Sequence, residues 1–284
     1  MKIHNHRLVG SQGNAIPFRK SPNHGGALAP SFLVMHYTAG RSADSSAGWL
    51  CDPRAKASAH LVIGKDGKII QLVPFNVVAW HAGASSWNDG SKELVGMNKY
   101  SIGIELDNPG RLVRKGGRWR SLLLGRDYDD KDVLEATHKH ETAPAGWCVY
   151  PQAQLDAASE VAALLFEQYG LKDVVGHDDI APARKADPGP AFPMDSFRAR
   201  LLGRSEEEPS APPRFFTTAS LNIRLGPGTQ HATVVPLPLP EGTRVEALGS
   251  EGSWRRVDVL DAVAGIQDIQ GWVHGRYLRA APSA

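Results

Sequence analysis

The segment that most narrows the folds open to this chain is GHDDIAPARKADPGP, residues 176–190. Pro182, Pro188 and Pro190 each fix φ and lack an amide hydrogen, so extended backbone is enforced through much of it. Asp187 precedes a proline and is pushed toward extended or polyproline conformation. In extended chain alternate residues point the same way, so Lys185 and Asp187 face one side together. DVV at 173–175 reads as a short strand, which places His177 where a strand gives way to this loop.

Further strands follow from period and turn signals. FLVMHY at 32–37 is apolar on both alternating faces, as a buried central strand should be. SAHLVIG at 58–64 and KIIQLV at 68–73 flank a KDG turn and read as a hairpin. YSIGIEL at 100–106 is another strand. Residues 152–169 read as a helix: Leu155, Val161, Leu164, Leu165 and Tyr169 approximate one face, Pro151 precedes it and Gly170 ends it. The first thirty residues, rich in Gly, Asn, Ser and Pro, read as an irregular lead-in. Strands interspersed with helices predict an α/β domain over residues 1–203.

The composition changes at GRSEEEPSAPPR, where charge, Ser and Pro cannot build a core, and residues 204–214 read as a linker. Residues 215–284 carry short strand-like runs broken by Gly and Pro, the pattern of a small all-β barrel.

A net charge of +2 does not call for nucleic acid as a partner. The basic run RLVRKGGRWR at 111–120 is local; it reads as a solvated loop or hairpin, or as a contact for an anionic polymer such as a cell wall. No run of about 18 apolar residues occurs, so no transmembrane segment is expected. The N-terminus lacks the apolar stretch of a secretory signal. The two cysteines, Cys51 and Cys148, form no CxxC pair; they are expected as buried free thiols, with a disulfide between them open in an oxidising compartment.

The chemistry-bearing residues sit at strand ends. His36 shares a strand face with Phe32 and Val34 and closes its strand, where open α/β sheets place their sites. With His177 and Asp187 it offers two imidazoles and a carboxylate. That set would leave a zinc ion one open position, which means chemistry, usually hydrolysis. Glu105 shares a face with Gly103 in an otherwise apolar strand and is costly to bury without a task. His60 reads as structural or as support for a ligand. His138 and His140, two apart on an expected helix, diverge and share a metal poorly. His4 and His6 sit on an expected flexible end, and Trp87 is either a sugar platform or a packed aromatic.

In order, FLVMHYTAG, SAHLVIGKDGKIIQLV, AWHAG, SIGIELDNPG and GHDDIAPARKADPGPAF resemble the type-2 N-acetylmuramoyl-L-alanine amidases. That zinc amidase group includes amidase-type phage lysozymes and is similar to peptidoglycan recognition proteins. The resemblance covers roughly residues 25–200. It implies a mixed central β-sheet flanked by helices, zinc ligands at His36, His177 and Asp187, catalytic partners at Glu105 and Lys185, and a substrate contact at His81. Some members carry a tyrosine just before the second-strand histidine; Ala59 stands there in this chain. ASLNIRLGPGTQ through GWVHGRYL resembles a bacterial SH3-like domain, which implies binding to cell-wall peptide or to a partner.

The expected activity is hydrolysis of the bond between the lactyl group of N-acetylmuramic acid and L-alanine, in peptidoglycan or a muropeptide. The alternative is a catalytically silent peptidoglycan-binding protein, disfavoured because all five site positions are filled. A phage endolysin released at lysis, an effector exported by a non-classical route and a cytoplasmic recycling enzyme all remain open. So does any immunity or inhibitor partner.

Overall fold

The structure, a computed structural model, describes residues 1–10, 16–203, 214–267 and 269–280. The chain divides into two compact units, residues 1–204 and 205–284. The expected linker at 204–214 lies outside the described residues except for Arg214, which opens a strand.

The first unit is organised on β1 (Phe32–Tyr37), α1 (Ala43–Leu50), β2 (Leu61–Ile63), β3 (Ile69–Gln71), β4 (Ser101–Leu106), α2 (Gln152–Tyr169) and β5 (Asp173–Gly176). The sheet order is β5-β1-β4-β2-β3. β5, β1, β4 and β2 run parallel, and β3 closes the edge antiparallel to β2 across the KDG turn, where Gly67 takes a positive φ of 78°. The sheet is therefore mixed, as expected.

Alternation along the strands gives the sheet two unlike faces. Leu33 and Met35 of β1, Ile102, Ile104 and Leu106 of β4, and Leu61 and Ile63 of β2 pack in one core with Ala158, Val161, Ala162 and Leu165 of α2. The helix covers this face as its period predicts, and Gly170 ends it in left-handed conformation with its N–H on the Phe166 carbonyl. The opposite face carries Phe32, Val34 and Val62 in two smaller apolar clusters, with His36 and Glu105 at its far end.

One region departs from expectation, and the basic run takes one of its expected forms. The lead-in is not irregular throughout: Lys2–His4 pairs with Arg7–Val9, and His24–Ala27 pairs with Val77–Ala79. His6 is held at 2.9 Å by the hydroxyl of Tyr169, the last residue of α2. The basic run is a hairpin, Arg111–Lys115 with Arg118–Ser121, inside a five-stranded antiparallel sheet that also holds Arg126–Tyr128, Val133–Thr137 and Pro144–Cys148. Its arginines are largely engaged: Arg114 lies over Trp119, and Arg111 and Arg120 pair with Glu141 and Asp127. Cys148 is buried and Cys51 half-buried, both as free thiols.

The second unit is a five-stranded antiparallel sheet in the order Ile269–His274, Trp254–Val259, Arg244–Glu251, Arg214–Thr217, Leu278–Ala280. Its own core includes Ile223, Leu239, Val245, Val257 and Val273. The LNIRLGPG and GWV runs meet here: Arg224 and Trp272 exchange both backbone hydrogen bonds, at 2.9 and 2.7 Å. Gly271 permits this approach, since a Cβ there would lie 2.7 Å from the Arg224 carbonyl.

No described helix is long and apolar enough to cross a membrane.

Candidate active site

Strand register assembles the site. Glu105 lies opposite His36 in the β4–β1 ladder, and Gly176 lies opposite Met35 in the β5–β1 ladder. His177, one residue on, falls level with His36. Three adjacent parallel strands thus deliver His177, His36 and Glu105 in a row at their C-terminal ends. His177 opens a single helical turn, His177–Ile180, before the extended segment begins, and Asp179 accepts from the Gly176 N–H at 2.7 Å to start it. The chain then returns Asp187 to the row, with the Asp187 carbonyl accepting from the Asp178 N–H at 2.8 Å.

His36 Nδ1, His177 Nδ1 and Asp187 Oδ2 lie 2.9–3.0 Å from one another. All three residues are buried. His177 Nε2 faces the Ala82 carbonyl at 3.1 Å, nearer than the Arg184 Nη2 at 3.4 Å, which donates to the Ala82 and Ala84 carbonyls, so the ring hydrogen sits on Nε2 and Nδ1 is bare. A bare nitrogen 2.9 Å from a carboxylate oxygen is repulsive unless a cation or a hydrogen lies between them. The donor set therefore fits a metal ion, and among the described residues this is the one group of three such ligands found together.

The electrostatics agree. Burial, with the charges of His177 and Lys185 adding, holds His36 down at about 4 against the opposing pull of Asp187. Burial alone would raise the Asp187 carboxyl, but hydrogen bonds and charge from His177 and His36 outweigh it and keep it below the usual carboxylate range. A neutral imidazole beside an ionised carboxylate is the state that ligates metal.

Glu105 is half-buried, and its Oε2 is inaccessible and without a hydrogen-bond partner. Burial, with the charge of Asp187 adding, raises its carboxyl from 4.5 to about 8, and the Lys185 charge opposes this. Lys185 is itself half-exposed, with its backbone N–H on the Ala181 carbonyl at 2.9 Å. Its positive charge lowers both His36 and Glu105.

His81 is brought into the same cluster from another direction. It is buried, with Nδ1 3.0 Å from His36 Nε2, on the side of His36 away from His177 and Asp187. His60 is structural: its Nδ1 accepts from the Gly103 N–H at 3.0 Å and its Nε2 faces the Val77 carbonyl at 3.0 Å. Burial lowers it to about 4. Trp87 packs partly against the Phe32 cluster.

The supports of the ligand loop escaped the sequence reading. Tyr150 donates to the Pro188 carbonyl at 2.8 Å, and the Asp187–Pro188 peptide is cis. Trp147 fills the space beside Gly189, whose positive φ of 72° and lack of a Cβ allow the ring to within 2.7 Å of where one would stand. His138 is not on a helix. It follows the strand Val133–Thr137, and there its buried Nε2 meets Asp178 Oδ2 at 2.9 Å while Lys139 bonds both Asp178 and Asp179. Tight turns here replace a helix because the flanking strands pair with each other directly. Arg184 donates to the carbonyls of Ala82 and Ala84, both at 2.9 Å, tying the AWHAG segment to the ligand loop. The one legible signal was the density of polar residues at 137–141, which a solvated surface explains equally well.

Residues 26–190 match the family model described as N-acetylmuramoyl-L-alanine amidase. The 1,6-anhydro-N-acetylmuramyl-L-alanine amidase AmpD of Citrobacter freundii is 29% identical over 198 residues, spanning 63% of this chain and 84% of that protein. The N-acetylmuramoyl-L-alanine amidase AmiD of Escherichia coli K12 is 34% identical over 181 residues, 60% of this chain and 53% of that one. A solved complex of the E. coli AmiD with anhydro-N-acetylmuramic acid-L-Ala-D-gamma-Glu-L-Lys aligns at 31% identity with a TM-score of 0.45, over 64% of this chain and 60% of that one.

Proposed function

We propose a mechanism from one premise: this chain belongs to the N-acetylmuramoyl-L-alanine amidase family. It hydrolyses the amide between the lactyl group of N-acetylmuramic acid and L-alanine, in peptidoglycan or a muropeptide. The observation that carries the mechanism is the convergence of His36 Nδ1, His177 Nδ1 and Asp187 Oδ2 at 2.9–3.0 Å. Two imidazoles and a carboxylate are a set that zinc takes at catalytic sites with a further position open, and we assign these three residues to zinc. When bound, zinc supplies Lewis acidity toward the amide carbonyl and the attacking water.

Glu105 takes the proton of that water and returns it to the departing amine. Its support is register: Glu105 stands level with His36 at the end of the neighbouring strand. A carboxyl lifted toward neutrality both accepts and releases a proton near the working pH. Lys185 holds its positive charge against the negative charge that grows on the former carbonyl oxygen. The water oxygen bonds to the lactyl carbonyl carbon, the carbon–nitrogen bond breaks, and the products are a muramyl carboxylic acid and a stem peptide with a free L-alanine amine.

The second unit we read as an SH3-like module that holds the enzyme on polymeric wall, as an endolysin or exported enzyme would need. Its support is the union of the LNIRLGPG and GWV runs and a partly exposed ring cluster, with Trp254 to His274 at 5.3 Å and His274 to Tyr277 at 6.0 Å. A second reading, turnover of small anhydro-muropeptides in the cytoplasm, is favoured by the likeness to a 1,6-anhydro-N-acetylmuramyl-L-alanine amidase.

Digestion of purified sacculi, with a chelator and then with zinc restored, tests the scheme. Free stem peptides beginning at L-alanine, lost with chelator and regained with zinc, are expected. Cleavage of soluble anhydro-muropeptides with sacculi left intact would transfer the chain to the second reading. Wall binding without any cleavage would overturn the mechanism.

A further inference from the structure

His81 is expected from the sequence to touch substrate, yet it stands behind a ligand. Its Nδ1 lies 3.0 Å from His36 Nε2, and its Nε2 lies 3.3 Å from both the carbonyl oxygen and Oγ of Ser101. A neutral imidazole has one N–H and one bare nitrogen, so the direction of every bond along this row is determined once one end is known. The Ser101 hydroxyl donates to the Met97 carbonyl at 2.6 Å, which leaves Oγ only as an acceptor toward His81. The Ser101 carbonyl is likewise an acceptor. His81 therefore carries its hydrogen on Nε2, and its Nδ1 accepts. His36 must then present Nε2–H to His81, which leaves His36 Nδ1 bare and aimed at His177 and Asp187.

We propose that His81 is a positioning residue: pinned by Ser101, it accepts from His36 Nε2–H and fixes the tautomer in which His36 Nδ1 faces the metal. The role rests on the zinc reading of the site. It mirrors the Ala82 carbonyl, which holds the hydrogen of His177 on the far nitrogen. Neighbouring residues share this role across two ligands.

The chain is shaped to hold the ring there. A Cβ at Gly103 would come 2.4 Å from His81 Cγ, so the centre of β4 is glycine to let the imidazole lie against the strand. Asn98 Oδ1 accepts from the backbone N–H of both His81 and Ala82, at 3.0 and 2.7 Å, and fixes the segment from which both supports come. Burial of His81 and Ser101 keeps water from competing for these bonds.

The test uses the full chain loaded with zinc. Nitrogen-15 NMR should show coupling across the hydrogen bond from His36 Nε2–H to His81 Nδ1, with His81 Nδ1 unprotonated. A hydrogen on His81 Nδ1 would overturn the proposal while leaving the amidase mechanism intact. His81→Leu should weaken zinc binding about 10–100-fold in chelator competition, the usual cost of losing an outer partner. His81→Asn, which offers an amide oxygen near the Nδ1 position, should restore most of that affinity. A folded His81→Leu that binds zinc as tightly as the parent also overturns the proposal. Should His81→Leu fail to fold, the NMR measurement on the unaltered chain decides. Failure of the unaltered chain to bind zinc would instead strike the zinc reading itself.

Discussion

The two faces of the central sheet are made by the same strands and built on opposite principles. On β1, Met35 enters a dry core of leucine and isoleucine against α2, and His36, one residue later, enters a cluster of imidazoles and carboxylates. On β4, Ile104 and Glu105 divide in the same way. The apolar face gains about 1.5–3 kcal/mol for each large side chain buried and makes a rigid floor. The polar face must satisfy each buried group individually. It does so through His60, His81, Asn98 and Arg184, and leaves Glu105 Oε2 without a partner. The contrast teaches that stability is concentrated on one side of a strand and reactivity on the other. A one-residue slip in register would exchange them.

Removing a ligand should break the polar face most completely. Asp187→Ala or His36→Ala should reduce zinc affinity by more than the roughly 100-fold that an outer partner commands, and abolish hydrolysis. Metal content after dialysis and release of stem peptide check this.

Glu105→Gln should retain zinc and lose on the order of 10²–10⁴ in turnover. It should also stabilise the metal-free protein in alkaline solution. A carboxyl raised in the folded state from 4.5 to about 8 costs nothing below 4.5 and destabilises increasingly as pH rises through about 8. Urea unfolding from pH 5 to 9 should show the variant gaining a few kcal/mol over the parent at the upper end. Equal stability across that range would remove Glu105 from the strained position assigned to it.

The apolar face should answer differently. Met35→Ala or Ile104→Ala should cost about 2–5 kcal/mol in unfolding, while zinc affinity and turnover well below the melting temperature stay near parental values. Zinc affinity falling together with stability would mean that the two faces are not independent.

Lys185→Met should have the smallest effect. Losing a positive charge near Glu105 raises its pKa further, so the acid limb of the kcat/KM profile should move to higher pH. Turnover near neutrality should fall about tenfold, the scale of one pKa unit. An unmoved limb would confine Lys185 to the oxyanion.

Local rules made much of this readable. Period placed β1, β4 and α2, the KDG turn placed the β2–β3 hairpin, and proline spacing marked the ligand loop. The sheet at 111–148 was not readable beyond its first hairpin, because short polar strands that pair mainly with each other lack a clear hydrophobic period. His138 and His140 looked helical for the same reason. His81 was singled out, but its place behind His36 depends on the emptiness above Gly103, and a lone glycine in a strand does not say which ring fills it.

The sequence by itself determined the chemical inventory: two imidazoles and three ionisable partners, each at a strand end or on a stiffened loop. Local backbone preference and residue type suffice for that. Only the tertiary structure decided the row in which they stand, the nitrogen each ring turns to its neighbours, and the groups that hold it there. Those choices rest on hydrogen bonds such as His36 to His81, His36 to Asp187 and His177 to Ala82, which join residues 45, 151 and 95 positions apart. No local period encodes contacts at such separations, so they are fixed only when the strands align.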